Sequence, residues 1–77
     1  MYKFLMVIEK SKTGYSAYSP DLPGCVASGK TEKDVEKLMY EAIEIHIQGL
    51  LEDGISIPEP TSTSVYAIIS KSAGQTA

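Results

Sequence analysis

Apolar and polar positions alternate along residues 2–10, with Tyr2, Phe4, Met6 and Ile8 on one face and Lys3, Leu5, Val7 and Glu9 on the other. A two-residue period is that of a strand. Leu5 and Val7 make the second face apolar at its middle, so this strand is expected to be central in a sheet or covered by another chain. Ser11-Lys12-Thr13-Gly14 reads as a turn, and residues 15–19 alternate well enough to return as the second arm of a hairpin. Pro20 and Pro23 lack amide hydrogens and Gly24 tolerates positive φ, so residues 20–24 form a shaped loop. Residues 25–29 are then a short third strand ended by Gly29.

The period changes after Thr31. Val35, Leu38, Met39, Ala42, Ile43, His46, Ile47, Leu50 and Leu51 recur at threes and fours, the stripe of an amphipathic helix packed on a sheet. Thr31 can cap the first free amides, Asp34 three residues later is a variant of the capping box, and Gly54 supplies the left-handed residue that ends the helix. Pro58 and Pro60 hold the following segment extended, and residues 64–70 read as a last strand. The expected fold is therefore α+β, in the order βββαβ: a three-stranded antiparallel sheet extended by a final strand, with one helix on one face. One domain over residues 1–70 and a fraying tail over 71–77 are expected, with no C-terminal DNA-binding module.

A single helix covers one face of a sheet. The other face carries Leu5 and Val7, with either Tyr66 and Ile68 or Val65, Ala67 and Ile69 from the last strand, so part of it is expected to be buried in a homodimer or higher homo-oligomer. Leu5, Val7, Tyr66 and Ile68 are the expected interface. At 77 residues the chain can bury only about 60% of its unfolded surface, which makes extra burial by self-association valuable.

Composition narrows the chemistry. Hydrophobic residues make up 43% and charged residues 22%, the balance of a folded globular protein rather than a disordered one. Seven lysines, ten acidic residues and no arginine give a net charge of −3. Without guanidinium forks and with an acidic balance, direct nucleic-acid binding is not expected; a basic partner fits better. Seven of the acids lie between positions 31 and 54, against Lys33 and Lys37. This is either a solvated helix face or an electrostatic footprint for that partner.

Catalytic constellations are missing. His46 is the only histidine and lies in the apolar register of the helix, where a structural role is expected. Cys25 is the only cysteine; it cannot form an intrachain disulfide, and a small buried strand residue is the expected reading. Glu9, Asp21, Glu41 and Glu44 are the acids that could converge on a metal, but the last strand contributes no carboxylate, so neither metal nor cofactor is expected. The opening apolar run stops at Glu9 and Lys10, shorter than a membrane span or a signal peptide requires. No membrane association and a reducing cytoplasmic location are expected.

One string is specific: Gly14-Tyr15-Ser16-Ala17-Tyr18-Ser19-Pro20-Asp21-Leu22-Pro23-Gly24-Cys25, followed by Gly29-Lys30-Thr31 and a helix containing Glu41-Ala42-Ile43. With Phe4 and Val7 before it and Gly54, Ile57, Pro58 and Pro60 after it, the chain resembles the HicB-like antitoxins from about residue 2 to residue 69. The resemblance implies a partial ribonuclease H-like fold without a nuclease site. It also implies binding to a HicA-type toxin, a small basic protein that cleaves messenger RNA, by masking its active surface. Family members commonly carry a C-terminal DNA-binding segment, and only eight residues follow Ile69 here. Asp21, Leu22 and Pro23 of the loop and Glu41 and Glu44 of the helix are the expected partner contacts. The alternative is a stand-alone interaction or sensing domain that kept this fold without a toxin.

Overall fold

A computed structural model describes residues 2–71. Three short strands, β1 (Val7–Lys10), β2 (Tyr15–Tyr18) and β3 (Val26–Gly29), precede one helix, α1 (Glu32–Glu52). The strands form an antiparallel sheet in the order β1-β2-β3, the α+β arrangement expected from the sequence. In its register Ile8 faces Ala17 and Ala17 faces Ala27, while Val7 faces Tyr18 and Tyr18 faces Val26. The first row points toward the helix, and Ala17 is buried within it. The second row lies on the opposite face, where Tyr18 and Val26 are exposed.

The hairpin turn closes with the Ser11 amide donating to the Gly14 carbonyl at 2.7 Å. Two β-turns then run back to back. The Leu22 amide donates to the Ser19 carbonyl and the Cys25 amide to the Leu22 carbonyl, each at 3.1 Å. Each turn has a proline at its second position, where a φ near −65° is required. Gly24 follows Pro23 with φ +82°, which makes the second turn type II and demands a residue without a Cβ penalty. Leu22 is the hinge shared by both turns, and it is driven inward: its side chain is fully buried with Val35 and Met39. Ala17 and Cys25 complete this core cluster.

The helix is bounded as its sequence dictates. Thr31 accepts from the Asp34 amide at 3.1 Å, and Glu32 and Asp34 face the positive end of the helix dipole. At the other end Ile55 donates to the Leu50 carbonyl and Gly54 to the Leu51 carbonyl, with Gly54 at φ +68°. This is a Schellman motif, and it satisfies carbonyls that the last turn leaves free. A helix of 21 residues is about 31 Å long, against about 13 Å for four-residue strands. Its C-terminal half therefore overhangs the sheet, and Ile45 and Leu51 are exposed there.

Two strand expectations are corrected. The first strand begins at Val7, not at Tyr2. Continuing the register would set Met6 opposite Ser19 and Leu5 opposite Pro20, but the chain turns at Ser19 and Pro20 offers no amide hydrogen. β1 is also an edge strand, with β2 in the middle. The expected last strand is absent among the described residues: residues 63–71 form no ladder, and Val65, Tyr66, Ile68 and Ile69 are all exposed. A strand is stable only when its amides and carbonyls are paired and its side chains covered. In the single chain this segment finds neither.

Leu22→Ala should cost about 2–5 kcal/mol, the range for truncating a fully buried leucine, read as a fall in the midpoint of urea unfolding. A loss below about 1 kcal/mol would show that Leu22 does not hold the sheet and helix together.

Candidate protein-interaction surface

The expected partner contacts divide by role. Leu22 is corrected outright: with no exposed surface it is a core residue and presents nothing to a partner. Pro23 is exposed beside it at the second position of the type II turn. Glu41 and Glu44 are exposed on α1, one turn apart on neighbouring rows of the helix surface. Glu32, Asp34, Glu36, Glu52 and Asp53 are exposed as well, with Lys33 and Lys37 exposed among them, so the outward side of the helix carries an excess of negative charge.

Asp21 has a use the sequence did not reveal. Its Oδ2 accepts from the backbone amides of Thr61 and Ser62, each at 3.1 Å. Its Oδ1 accepts from the Thr61 hydroxyl at 2.9 Å and the Ser62 hydroxyl at 3.2 Å. The Ser62 amide, more than any other donor, holds the Asp21 carboxyl below its ordinary value, because each bond stabilises the ionised form. The four bonds fasten the segment after Pro60 to the β2–β3 loop, forty residues away in sequence. No local pattern could have shown this, since Thr61-Ser62-Thr63-Ser64 reads as an ordinary polar linker.

The remaining candidates are placed plainly. Cys25 is buried, and burial pushes its thiol up, away from the nucleophilic thiolate. His46 is half-buried on the helix. Among the described residues, no group of three or more His, Cys, Asp or Glu could hold a metal ion, and no helix is long and apolar enough to cross a membrane. Val7 is half-buried on the outer face of the sheet and Leu5 is half-buried in the segment before it, while Tyr66 and Ile68 are exposed.

Sequence reasoning also missed a groove of about 700 Å³ between residues 2–6 and the middle of α1. Tyr2, Phe4 and Met6 form one wall and Tyr40, Ile43 and Ile47 the other, with Lys3 and Glu44 among the polar groups around it. Its wall of even-numbered residues is the helix-facing side of the first segment. Tyr2 and Phe4 stack with their ring centres 6.5 Å apart.

The Asp21 clamp gives a pH signature. A carboxylate with a lowered folded-state pKa contributes stability that is complete above its unfolded value, near 3.8, and lost as pH falls through the folded value. As pH falls through that folded value, which lies below 3.8, the Thr61 and Ser62 amides should therefore lose their bonded chemical shifts in NMR spectra while the helix persists. Asp21→Ala should produce the same change at neutral pH; unchanged amide shifts in that variant would contradict the clamp.

The geometry thus describes a small α+β domain with an acidic helix surface, an apolar groove and a tethered apolar arm. The HicB-like antitoxin of bacterial toxin-antitoxin systems matches as a family over residues 4–75. An uncharacterized 14.9 kDa protein of Haemophilus phage HP1 is 39% identical over 59 residues, covering 77% of this chain and 44% of the phage protein; the chain spans less than half of that relative. A UPF0150 protein of Helicobacter pylori is 40% identical over 50 residues, 65% of this chain and 69% of that protein. One from Thermoplasma acidophilum is 33% identical over 64 residues, 82% of this chain and 93% of the other. Among solved structures, a chain from a HicA3 and HicB3 toxin-antitoxin complex superposes with a TM-score of 0.62 at 32% identity, covering 77% of this chain and 72% of that one. On the sequence match across nearly its whole length and on the shared three-stranded sheet and helix, the chain belongs to the HicB-like antitoxin family.

Proposed function

We propose that this chain is an antitoxin that binds a HicA-type toxin and masks its active surface, acting by occlusion and not by catalysis. The observation that carries the reading is the likeness, at 32% identity, to a chain solved within a HicA3 and HicB3 complex. The charge distribution supports it. An RNA-cleaving protein must attract phosphate, so its working surface is basic. The exposed carboxylates of α1, Glu41 and Glu44 among them, offer such a surface a competing anion field. Complementary charge of this kind accelerates encounter and fixes orientation more than it adds raw affinity. Pro23, exposed in the type II turn of the β2–β3 loop, adds a rigid contact.

Titrating the chain with a HicA-type toxin by calorimetry should give submicromolar binding that weakens as salt rises. Glu41→Lys combined with Glu44→Lys should weaken it at least about tenfold, or 1.4 kcal/mol. Both side chains are exposed, so the melting temperature should stay unchanged. Absence of binding to a correctly folded toxin would move the reading to a stand-alone interaction domain.

A further inference from the structure

Three features of α1 have no explanation within this chain. One is an exposed row: Asp34, Leu38, Glu41, Ile45, Gln48 and Glu52 follow one another at threes and fours, so they share one line along the helix surface. All six are exposed. The two aliphatic members, Leu38 and Ile45, are 45% and 72% exposed and lie seven residues, or about 10.5 Å, apart. Ile45 and Gln48 also border the groove. Another is Gly49, one turn beyond Ile45. Glycine is a poor helix former, and its use in a helix is to let another backbone come close. Among the described residues nothing lies within 4 Å of the place its Cβ would take. The last is charge. From Leu38 to Asp53 the chain has Glu41, Glu44, Glu52 and Asp53 and no lysine, and the last turn of the helix holds no basic side chain. A helix C-terminus carries partial negative charge and favours cations, so Glu52 and Asp53 stand at the unfavourable end.

We propose, resting on the antitoxin reading above, that this row seats a basic amphipathic helix of the toxin, lying along α1 with its closest approach at Gly49. Charge complementarity selects the occupant. Lysine or arginine side chains on the incoming helix meet Glu41 and Glu52 and supply the cations that the C-terminal end of α1 lacks. Leu38 and Ile45 form the apolar centre of the contact, and the carboxylates form its rim.

Spacing selects a helix over a strand. Apolar residues seven apart on one helix meet apolar residues seven apart on another, and the row from Asp34 to Glu52 runs for about 27 Å. A strand twists away from a helix axis over such a length. With no Cβ at Gly49 the two helices can approach to the short end of the range of about 8–10 Å between packed axes. The glycine that weakens α1 in the free chain is thereby given a use in the complex.

The test is calorimetric titration of a HicA-type toxin with the full chain and with two single variants, Ile45→Ser and Gly49→Leu. Ile45 is exposed and a Cβ at position 49 meets open space, so circular dichroism should show the same helix in all three proteins. Gly49→Leu should melt no lower than the unaltered chain, because leucine is the better helix former. The expected result is a loss of affinity of at least about tenfold in each variant. Full affinity in either would overturn this docking site and leave the antitoxin reading standing, whereas no binding by the unaltered chain would overturn both. A photo-crosslinking amino acid in place of Ile45 gives a second readout: in the complex it should capture toxin residues three and four apart, the spacing of a helix face. Capture of alternate residues, the spacing of a strand, or of a second copy of this chain would overturn the proposal.

Discussion

The inward turn of Leu22 between sheet and helix is the constraint from which the rest of this chain follows. Two proline-led turns meet at that residue, and their geometry leaves its side chain in one buried cluster with Val35 and Met39. Asp21, one position earlier, is then directed toward Thr61 and Ser62 and fastens the stem of the arm. Cys25, three positions later, is carried under the helix as β3 begins. The Pro-Asp-Leu-Pro-Gly-Cys string is therefore a structural instruction: it sets the core plug, the clamp and the start of a strand in six residues.

That plug closes only a small core. Among the described residues five apolar side chains are buried, and Phe4, Met6, Ile8, Tyr15, Ala27, Ala42 and Ile43 pack around them half-covered. Among the described residues the buried hydroxyl of Ser19 finds no partner. Such a domain has little stability in reserve. Its remaining surface is sorted into two kinds: a charged helix side, which water and a basic partner both satisfy, and a neutral apolar groove and arm, which water does not. Glu44 stands where the two meet, exposed on the helix and at the edge of the groove.

Much of this was legible along the chain because it is local. The helix bounds follow from Thr31, Gly54 and the stripe of threes and fours, and the sheet from alternation and turn residues. What escaped is what depends on residues distant in sequence. Residues 2–6 carry a strand pattern, yet they are unpaired because Pro20, across the register, ends β2 early. Residues 64–70 carry one as well, and in the single chain they have no ladder to join. Leu22 looked like a loop residue free for a partner, because a turn sequence tells which residues bend and not which way a side chain between two bends must point. The clamp was invisible for the same reason: Asp21 and Thr61 share no sequence neighbourhood. The groove follows from the mismatch between a long helix and short strands, which appears only once the elements are assembled.

The most direct test of the account is an RNA-cleavage assay in which a HicA-type toxin is mixed with increasing amounts of this chain. If the acidic helix side occludes the toxin's working surface, cleavage should fall in proportion to the chain added and stop at a fixed stoichiometry, with excess RNA restoring it by competition. Cleavage that continues at full rate while the two proteins remain bound would contradict occlusion.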